Sequence, residues 1–489
     1  MTTATADPRV IEKYEMVVGL EVHVQLKTRT KAFCSCSADF GAPPNTNVCP
    51  VCLALPGALP VLNKRAVELA TRAALALGCT IRPVSVFARK NYFYPDLPKG
   101  YQISQYDAPL ASGGHLEIGT YPSGTPIVVG ITRVHMEEDA GKSIHDRYAG
   151  LTAIDLNRAG VPLIEIVSEP DMRSAPAAGA YLRVLKQLLE YIGVSDVSME
   201  EGSLRVDANI STRPRGEAKL GTKTEVKNMN SFSGVERALE AEFARQCAVL
   251  DAGGRVQQQT MLWDGATGSV RLARTKEESH DYRYFPEPDL LPLVLTPEEI
   301  AQVREAMPEL PRDRQARFAR EYALGEDDVE VLTASPELAD YYEQVARAHG
   351  EHKAAANWVK GEVLGAVRAS GQDIAHFSVR PRDVGQLLDL VRDGRISHTA
   401  AKQVFAAMVK TGRPPTEIVA REGLAKVDDT AALSRWLDEV IAEHPAEAAR
   451  FANGERKLQG VLVGYVMKKS KGAADPKRLN QLLSERLGK

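Results

Sequence analysis

The chain has 489 residues, enough for about three domains that each bury their own core. Hydrophobic residues make up 44% of it and charged residues 26%, as in an ordinary globular protein, and a net charge of −3 argues against a chain that coats nucleic acid. Its apolar runs are short and interrupted by charges, so no membrane-spanning segment is expected.

The start of the chain lacks the pattern of a targeting signal. Residues 1–13 contain charges of both signs and no apolar stretch, so we expect a flexible N-terminus rather than a secretory signal. A cytoplasmic location follows from this expectation, and cysteines stay reduced there.

The segment Val17–Leu26 predicts a β-strand, because apolar and polar residues alternate along it. Its apolar residues face one way, while Glu21, His23 and Gln25 face the other. A carboxylate, an imidazole and an amide side by side form a face suited to binding a cation.

Four of the six cysteines form two close pairs, Cys34 with Cys36 and Cys49 with Cys52. Two such pairs separated by a loop can supply four thiolates to one tetrahedral zinc ion. With four protein ligands and no open position, such a site would be structural. The alternative is a loop that contains four free thiols.

Residues 14–295 mix strand-like and helical segments, which predicts a domain of both kinds of structure. Further strands are predicted at Ile127–Met136 and Leu204–Ile210. Helices are predicted at about Lys64–Gly78, with Asn63 as the N-cap, and at about Ala175–Tyr191.

Carboxylates accompany two strands of this region. One strand ends in three consecutive acidic residues at 137–139. Glu165 lies in the middle of another strand, between apolar neighbours. A buried carboxylate is costly unless it is salt-bridged or bound to a metal, so both alternatives stand for each group taken alone. Together with His23, the mostly oxygen ligands favour Mg²⁺ or Mn²⁺ over zinc.

Two segments mix cations with hydroxyls and amides, Arg89–Asp96 and Lys99–Tyr106, as a surface that binds phosphate or tRNA would. On a further strand, alternation places Arg205, Asp207 and Asn209 on one face. That face is either functional or simply exposed to solvent.

Helical periodicity dominates from residue 296 onward. Thr296, Pro297 and Glu299 form a capping box with proline at the first helical position, which marks the start of a helical domain over residues 296–411. Its helices are predicted at Pro336–His349, Lys353–Ala369, Pro381–Asp393 and Ser397–Thr411.

The segment Gly412–Pro415 predicts a stiff linker to a small helical tail domain, residues 412–489. From residue 453 to the end, nine lysines and arginines stand against three acids, whereas the rest of the chain is net negative. A basic end on an acidic body indicates one anionic partner at that end, and a solvated helix is the alternative.

Several blocks of residues resemble the B subunits of the aspartyl/glutamyl-tRNA amidotransferase family. The resemblance runs from Tyr14 to the tail and is carried by these segments in order: Gly19–Leu26, Arg89–Pro95, His135–Lys142, Pro162–Pro170, Glu200–Arg205 and His280–Pro288. The zinc cysteines vary between family members, and this chain has all four.

This resemblance implies a glutamine-synthetase-like α+β cradle domain, followed by an all-α helical domain and a small all-α tail domain. It also implies a reaction in which ATP phosphorylates the side-chain carboxylate of misacylated Asp-tRNA(Asn) or Glu-tRNA(Gln). Ammonia then displaces the phosphate to give the amide, because a carboxylate oxygen leaves poorly until it is phosphorylated. The expected cofactors are Mg²⁺, ATP as co-substrate and a structural Zn²⁺.

By its motifs, the resemblance implies that His23, Glu138 and Glu165 bind Mg²⁺, with Glu21 close by. Glu138 and Glu165 are expected to act in catalysis. Strict alternation puts Glu138 in phase with the apolar residues of its strand, so we expect the strand to end or bulge there.

The resemblance also implies catalytic roles for Lys90 and Tyr92, near the phosphoryl group or the path of ammonia. Arg205, Asp207 and Asn209 are expected to bind ATP or the substrate.

No motif in the chain serves to release ammonia from glutamine. The resemblance therefore implies a heterotrimer with an amidase (A) subunit and a small C subunit, inside which ammonia escapes protonation by bulk water. Expected further partners are tRNA(Asn), tRNA(Gln) and a non-discriminating aminoacyl-tRNA synthetase. The tail is expected to hold tRNA phosphates through Lys468, Lys469, Lys471, Lys477 and Arg478.

Other interpretations remain open at this point. One is a metal-dependent nuclease or another ATP-dependent ligase that acts on RNA, and a second is a non-catalytic tRNA-binding scaffold. A third is the archaeal paralogue specific for glutamyl-tRNA, although its inserted domain is not evident between Leu163 and Pro308. Whether Asp-tRNA(Asn), Glu-tRNA(Gln) or both are substrates depends on the synthetases of the organism.

Overall fold

The chain folds into two compact units that divide between Leu310 and Pro311 in a computed structural model. The structure describes residues 10, 12–120, 123–275, 282–425, 430–470 and 474–487. The N-terminus predicted to be flexible lies outside the described residues, except for its last positions.

A large sheet organises the first unit. Its strands and those of two small sheets are β1 (Tyr14–Gln25), β2 (Thr80–Ile81), β3 (Val84–Ser85), β4 (Phe87–Asn91), β5 (Tyr101–Gln105), β6 (Ala111–Thr120), β7 (Pro126–Glu138), β8 (Lys142–Tyr148), β9 (Leu151–Asp155), β10 (Pro162–Ser168), β11 (Leu204–Pro214), β12 (Thr224–Lys227), β13 (Gln259–Asp264), β14 (Ser269–Thr275), β15 (Phe285–Pro286) and β16 (Leu293–Val294). Within the described residues the large sheet has 12 strands, in the order β14-β13-β12-β11-β1-β10-β7-β5-β4-β15, with β6 beside β7 and β2 beside β6.

β1 lies near the middle of the sheet and pairs antiparallel with β10 on one side and β11 on the other. The predicted alternation of this strand is confirmed, because Val18, Val22 and Val24 are fully buried in the core. The strands predicted at 127–136 and 204–210 are confirmed as β7 and β11, each somewhat longer than expected.

Helices α1 (Lys64–Ala76), α2 (Ala175–Tyr191), α3 (Phe232–Asp251) and α4 (Pro297–Glu305) complete the first unit. Apolar residues of the first three join the same core as β1, so the unit is a mixed α+β structure, as predicted. The predicted helix starts are confirmed, since the Asn63 side chain accepts backbone N–H groups of α1 and Thr296 forms the capping box of α4.

The second unit is helical. Its helices are α5 (Pro311–Glu321), α6 (Glu326–Leu332), α7 (Pro336–His349), α8 (His352–Trp358), α9 (Leu364–Ser370), α10 (Pro381–Arg392), α11 (His398–Thr411), α12 (Pro415–Glu422), α13 (Thr430–Glu443), α14 (Pro445–Ala452), α15 (Gln459–Lys469) and α16 (Pro476–Leu487). The predicted helices are confirmed, except that the one expected at 353–369 is α8 and α9 joined by a π-helical turn at Val359–Val363.

Two separate hydrophobic clusters stabilise the second unit. Helix α12 joins the first cluster through Ile418 and Val419, whereas α13 to α16 build the second around Leu437 and Leu462. The division into domains at residues 295/296 and 411/412 stays a prediction. Among the described helices, none has the length and hydropathy needed to cross a bilayer.

Candidate active site

Polar side chains of neighbouring strands share the face of the large sheet that lies opposite the apolar core. Glu165 of β10 pairs with His135 of β7 on one side and with His23 of β1 on the other. His23 in turn pairs with Arg205 of β11. Because directly opposed residues of antiparallel strands point to the same face, the sheet brings these groups into one row.

His23 is the centre of this polar face and has carboxylates around both ring nitrogens. Its Nδ1 lies 3.0 Å from Glu137 Oε1 and 3.8 Å from Glu165 Oε2. Its Nε2 lies 3.8 Å from Asp207 Oδ2. His23, Glu137 and Glu165 each offer a ligand atom, and all three atoms lie within 4.8 Å of one another, close enough to share one cation.

A second group of carboxylates lies beside the first. Glu21, Asp207 and Glu225 offer oxygen atoms within 4.8 Å of one another. Asn209 Nδ2 donates to Glu21 Oε1 at 2.9 Å, and Lys227 forms ion pairs with both Asp207 and Glu225. Since Lys227 already balances much of this charge, the His23 group is the better place for a cation.

The two glutamates at the end of β7 point in opposite directions. β7 keeps a regular ladder with β10 up to its last residue, with Glu137 opposite Leu163 and Glu138 opposite Pro162. The strand ends at Glu138, one of the two expected alternatives, but it has no bulge there, because the ladder keeps its register through that residue. Alternation then places Glu137, and not Glu138, on the polar face with His23.

Glu138 is buried on the other side of the strand. Its Oε1 accepts the backbone N–H of Ile103 at 2.9 Å and pairs with Lys99 Nζ. It also borders a small cavity that Cys52 and Gly160 help to line. These contacts connect Glu138 to β5 and to the cysteine loop rather than to His23.

The charges of the polar face shift the ionisation of its members. Burial by itself lowers the pKa of His23, but hydrogen bonds with Asp207 and Glu137 raise it to about 10. Burial raises the pKa of Glu137, yet the hydrogen bond with His23 brings it down to about 2. Burial and the Glu137 charge raise the pKa of Glu165. A proton on His23 or Glu165 therefore competes with a cation for the site formed by His23, Glu137 and Glu165.

The donors of the His23 group fit a hard divalent cation. One imidazole and two carboxylates are a set that Mg²⁺ or Mn²⁺ accepts, together with water or phosphate oxygens. Glu137 and Glu165 are both buried, and burial of two carboxylates so close together calls for positive charge nearby. Protonated His23 or a bound cation can supply it, whereas His135 does not, since burial lowers its pKa to about 4.

Lys90 and Tyr92 lie at the edge of the polar face. The Lys90 Nζ is 5.0 Å from the ring centroid of Tyr282, and its positive charge lowers the pKa of Glu137. Lys90 forms no ion pair with a described residue, which leaves it available to an anion. Burial first, and then the charge of Glu137, raise the pKa of Tyr92.

Asp139 connects the end of β7 to the neighbouring strands. Its carboxylate accepts hydrogen bonds from Gln25 Nε2 at 2.8 Å and from Arg205 at 3.0 Å. Arg205, which was expected to bind ATP or the substrate, is thus fixed in place before any ligand binds.

The four predicted zinc cysteines form one cluster. Cys52 Sγ lies 3.5 Å from Cys34 Sγ, 3.7 Å from Cys36 Sγ and 3.6 Å from Cys49 Sγ. These distances are near the edge of about 3.8 Å in a tetrahedron of sulfurs around zinc with bonds of about 2.3 Å. Lys31 is fully buried and donates to Cys52 Sγ at 3.4 Å. The cluster can therefore hold a metal ion, and Lys31 would offset part of its negative charge.

Four of the five basic residues predicted to bind tRNA lie on exposed helical positions. Lys468 and Lys469 end α15, and Lys477 and Arg478 lie in the first turn of α16. Lys469 is paired with two glutamates of α13. Lys471 lies outside the described residues.

Some members of the polar face were not identified from the sequence. Alternation along the strand that ends in three acids does place Glu137 on the same face as His135, so the sequence carried a signal for Glu137. Glu225 and Lys227 reach the face because β12 pairs with β11, and Tyr282 because its carbonyl accepts a hydrogen bond from β4. No local pattern reveals contacts of this kind.

Comparisons with known proteins find the same similarity along nearly the whole chain. Residues 16–301 match the family model of the GatB/GatE catalytic domain, and residues 340–487 match the GatB domain. Three relatives are named as the B subunit of aspartyl/glutamyl-tRNA(Asn/Gln) amidotransferase. The protein of Pelodictyon phaeoclathratiforme is 52% identical over 97% of this chain and 99% of its own length. Those of Carboxydothermus hydrogenoformans and Persephonella marina are 50% and 51% identical over 98% and 97% of this chain and 100% of their own length.

Proposed function

Because the chain belongs to the family of aspartyl/glutamyl-tRNA(Asn/Gln) amidotransferase B subunits, which are ligases of tRNA-dependent amidation, we propose that its polar sheet face activates a tRNA-borne carboxylate with ATP. The substrate is then the side chain of Asp or Glu on a misacylated tRNA(Asn) or tRNA(Gln).

Two displacements account for the reaction. A carboxylate oxygen of the substrate attacks the γ-phosphorus of ATP, and the bond to ADP breaks. Ammonia then attacks the acyl carbon, inorganic phosphate leaves with the bonding electrons, and the amide loses its extra proton to a nearby base. The first step is needed because phosphate is a far better leaving group than oxide.

We infer that His23, Glu137 and Glu165 hold the Mg²⁺. When bound there, the ion would neutralise phosphate charge and orient the nucleotide. Lys90, which forms no ion pair with a described residue, would bind a phosphate oxygen from the side of β4. Arg205 is held by Asp139 at 3.0 Å and presents a second cation to the same face. Fixed charges of this kind stabilise the transferred phosphoryl group without reorganisation.

Roles of several other residues are part of the same proposal. Tyr92 closes the edge of the face beside Lys90, and Asp207, Asn209 and Glu21 form its far side. The resemblance implied Glu138 as a ligand, whereas its contacts with Lys99 and the Ile103 N–H favour a structural role. We therefore propose Glu137 as the third ligand.

The cysteine cluster is proposed to hold a structural zinc ion, on the strength of its sulfur–sulfur distances. We also propose that the first unit is a glutamine-synthetase-like cradle. The second unit is proposed to contain a helical domain and a separate tail domain. Membership of a family of B subunits supports assembly with amidase (A) and C subunits that deliver ammonia within the complex. Cytoplasmic action, tRNA binding by the tail and docking of a non-discriminating synthetase complete the proposal.

The convergence of His23, Glu137 and Glu165 is the observation that carries this function. Glu165→Gln in the purified complex is expected to abolish amide formation and the ADP release that depends on misacylated tRNA. Binding of tRNA should persist, because the variant keeps the shape of the side chain. Full amidation by Glu165→Gln would contradict the proposal and support a scaffold role instead.

A further inference from the structure

Five tyrosines form a continuous row beside the polar face, and we call this row the tyrosine platform. Successive ring centroids lie 5.9, 6.2, 6.0 and 4.0 Å apart, in the order Tyr94, Tyr92, Tyr282, Tyr284 and Tyr106. The last pair is stacked, with an angle of 5° between the ring planes. The platform joins β4 and β5 with the segment that leads into β15, so residues far apart in the chain meet there.

The ends of the platform are exposed although they are large aromatic rings. Tyr94 is 60% exposed and Tyr106 is 53% exposed, even though Tyr284 covers one face of the Tyr106 ring. A row of rings that served only the core would be buried throughout. Exposed rings arranged edge to face and face to face form a surface on which another planar group can stack.

One residue of the platform segment has an unfavourable backbone conformation. Arg283, between Tyr282 and Tyr284, has a φ of 44°, in the left-handed region that arginine rarely adopts. Such conformations persist where the surrounding structure enforces them, and they are common at binding sites.

The platform also adjoins the polar face. Lys90 Nζ lies 5.0 Å from the Tyr282 ring centroid, on the strand that leads to Tyr92. Burial and the neighbouring tyrosines, followed by the charges of Glu165 and Glu137, raise the pKa of Tyr284. Through Lys90, the platform therefore adjoins the strand next to the polar face.

We propose that the tyrosine platform stacks the 3′-terminal base of the tRNA substrate, next to the face where the aminoacyl side chain reacts. This inference rests on the proposed function. Aromatic side chains interleaved with cations are the usual surface for single-stranded nucleic acid, because every base has a flat face to stack.

The chemistry of the substrate requires the terminal base to lie near the reacting carboxylate. The aminoacyl group is esterified to the terminal ribose, so base and side chain are attached to the same sugar. The platform meets this requirement, because Lys90 links it to the polar face through the Tyr282 ring at 5.0 Å. The position of the platform thus favours RNA over protein as its occupant.

The direct test replaces the terminal adenine of tRNA with 2-aminopurine, whose fluorescence falls when it stacks on an aromatic ring. Titration of this tRNA with the purified complex is expected to quench the probe. Tyr106→Leu should remove most of the quenching and raise the KM for misacylated tRNA about tenfold, whereas Tyr106→Phe should behave like the wild type. Phe40→Leu removes an exposed ring from the cysteine loop and is the matched control, expected to change neither quantity.

The outcomes separate this inference from the proposed function. Absence of quenching with the wild type, or full quenching with Tyr106→Leu, would overturn the platform even if ATP-dependent amidation proceeds normally. Dissociation of the partner subunits from Tyr106→Leu, with quenching unchanged in the complex that remains, would identify the platform as a protein interface and overturn it as well. Failure of ATP-dependent amidation in the wild-type complex would contradict the proposed function, whatever the probe reports.

Discussion

Glu165 lies opposite His23 in the ladder between β10 and β1, with its Oε2 3.8 Å from His23 Nδ1. Both strands are paired on both sides, so the backbone of neither residue can shift without breaking hydrogen bonds of the sheet. The sheet therefore fixes the backbone positions of the candidate cation site before any ligand arrives. Preorganised charge of this kind is the main means by which enzymes stabilise phosphoryl transfer.

The choice between the two glutamates at the end of β7 is open to a direct test. Glu137→Gln removes a carboxylate from the His23 group and is expected to weaken Mn²⁺ binding more than about tenfold, with loss of amidation. Titration of the apo-protein with Mn²⁺, followed by electron paramagnetic resonance, measures the affinity.

Glu138→Gln is the matched control, because it makes the same replacement of a carboxylate by an amide at the neighbouring residue. We expect it to keep the Mn²⁺ affinity and to lower thermal stability, since it leaves the half-buried Lys99 without its carboxylate. Loss of Mn²⁺ binding in Glu138→Gln, with normal binding in Glu137→Gln, would show that Glu138 is the ligand after all.

The limits of sequence reasoning are visible at this site. Alternation identified the face of β1, and with it Glu21 and His23, because that pattern is local. The direction of Glu138 depended on whether β7 stays regular to its end, and the ladder with β10 decides this. Glu225 and the platform residue Tyr284 reach the site because their strands or segments pair with distant parts of the chain. Such long-range pairing produces no pattern in the residues next to them.

A buried carboxylate is expected to stabilise the second unit. Glu343 accepts hydrogen bonds from Arg317 at 2.6 Å and from the Tyr322 hydroxyl at 2.6 Å. Burial raises the pKa of Glu343, but the bonds from Arg317 and Tyr322 lower it to about 2. Glu343→Gln should reduce the free energy of unfolding by about 1–3 kcal/mol at pH 7, and Glu330→Gln on exposed surface should have little effect.

The pH dependence of this effect has a definite sign. The pKa of Glu343 is lower in the folded state than the ordinary value of 4.5, so its contribution is complete above that value and is lost as pH falls towards 2. Thermal unfolding of the wild type and Glu343→Gln should therefore differ at pH 7 and converge below pH 4.5. A difference that grows on acidification would refute this explanation.

Zinc in the cysteine cluster is expected at one ion per chain, measured by elemental analysis of the purified protein. Cys49→Ser should remove it and lower the thermal stability of the first unit, because three thiolates bind zinc far more weakly than four. Cys247→Ala changes a buried cysteine outside the cluster and should leave the zinc content intact. Zinc-free wild-type protein of full stability would contradict the proposed site.

Salt dependence distinguishes a phosphate-binding tail from a merely solvated one. Lys477 and Arg478 are exposed in the first turn of α16, and a tail that binds phosphates through them releases counterions from tRNA. Lys477→Ala combined with Arg478→Ala should weaken tRNA binding and reduce the slope of log affinity against log salt by about 1–2. Arg395→Ala combined with Lys410→Ala makes the same charge change on exposed residues outside the tail and should leave the slope unchanged. Equal loss of affinity at every salt concentration in the tail variant would show that these residues contribute by something other than contact with phosphate.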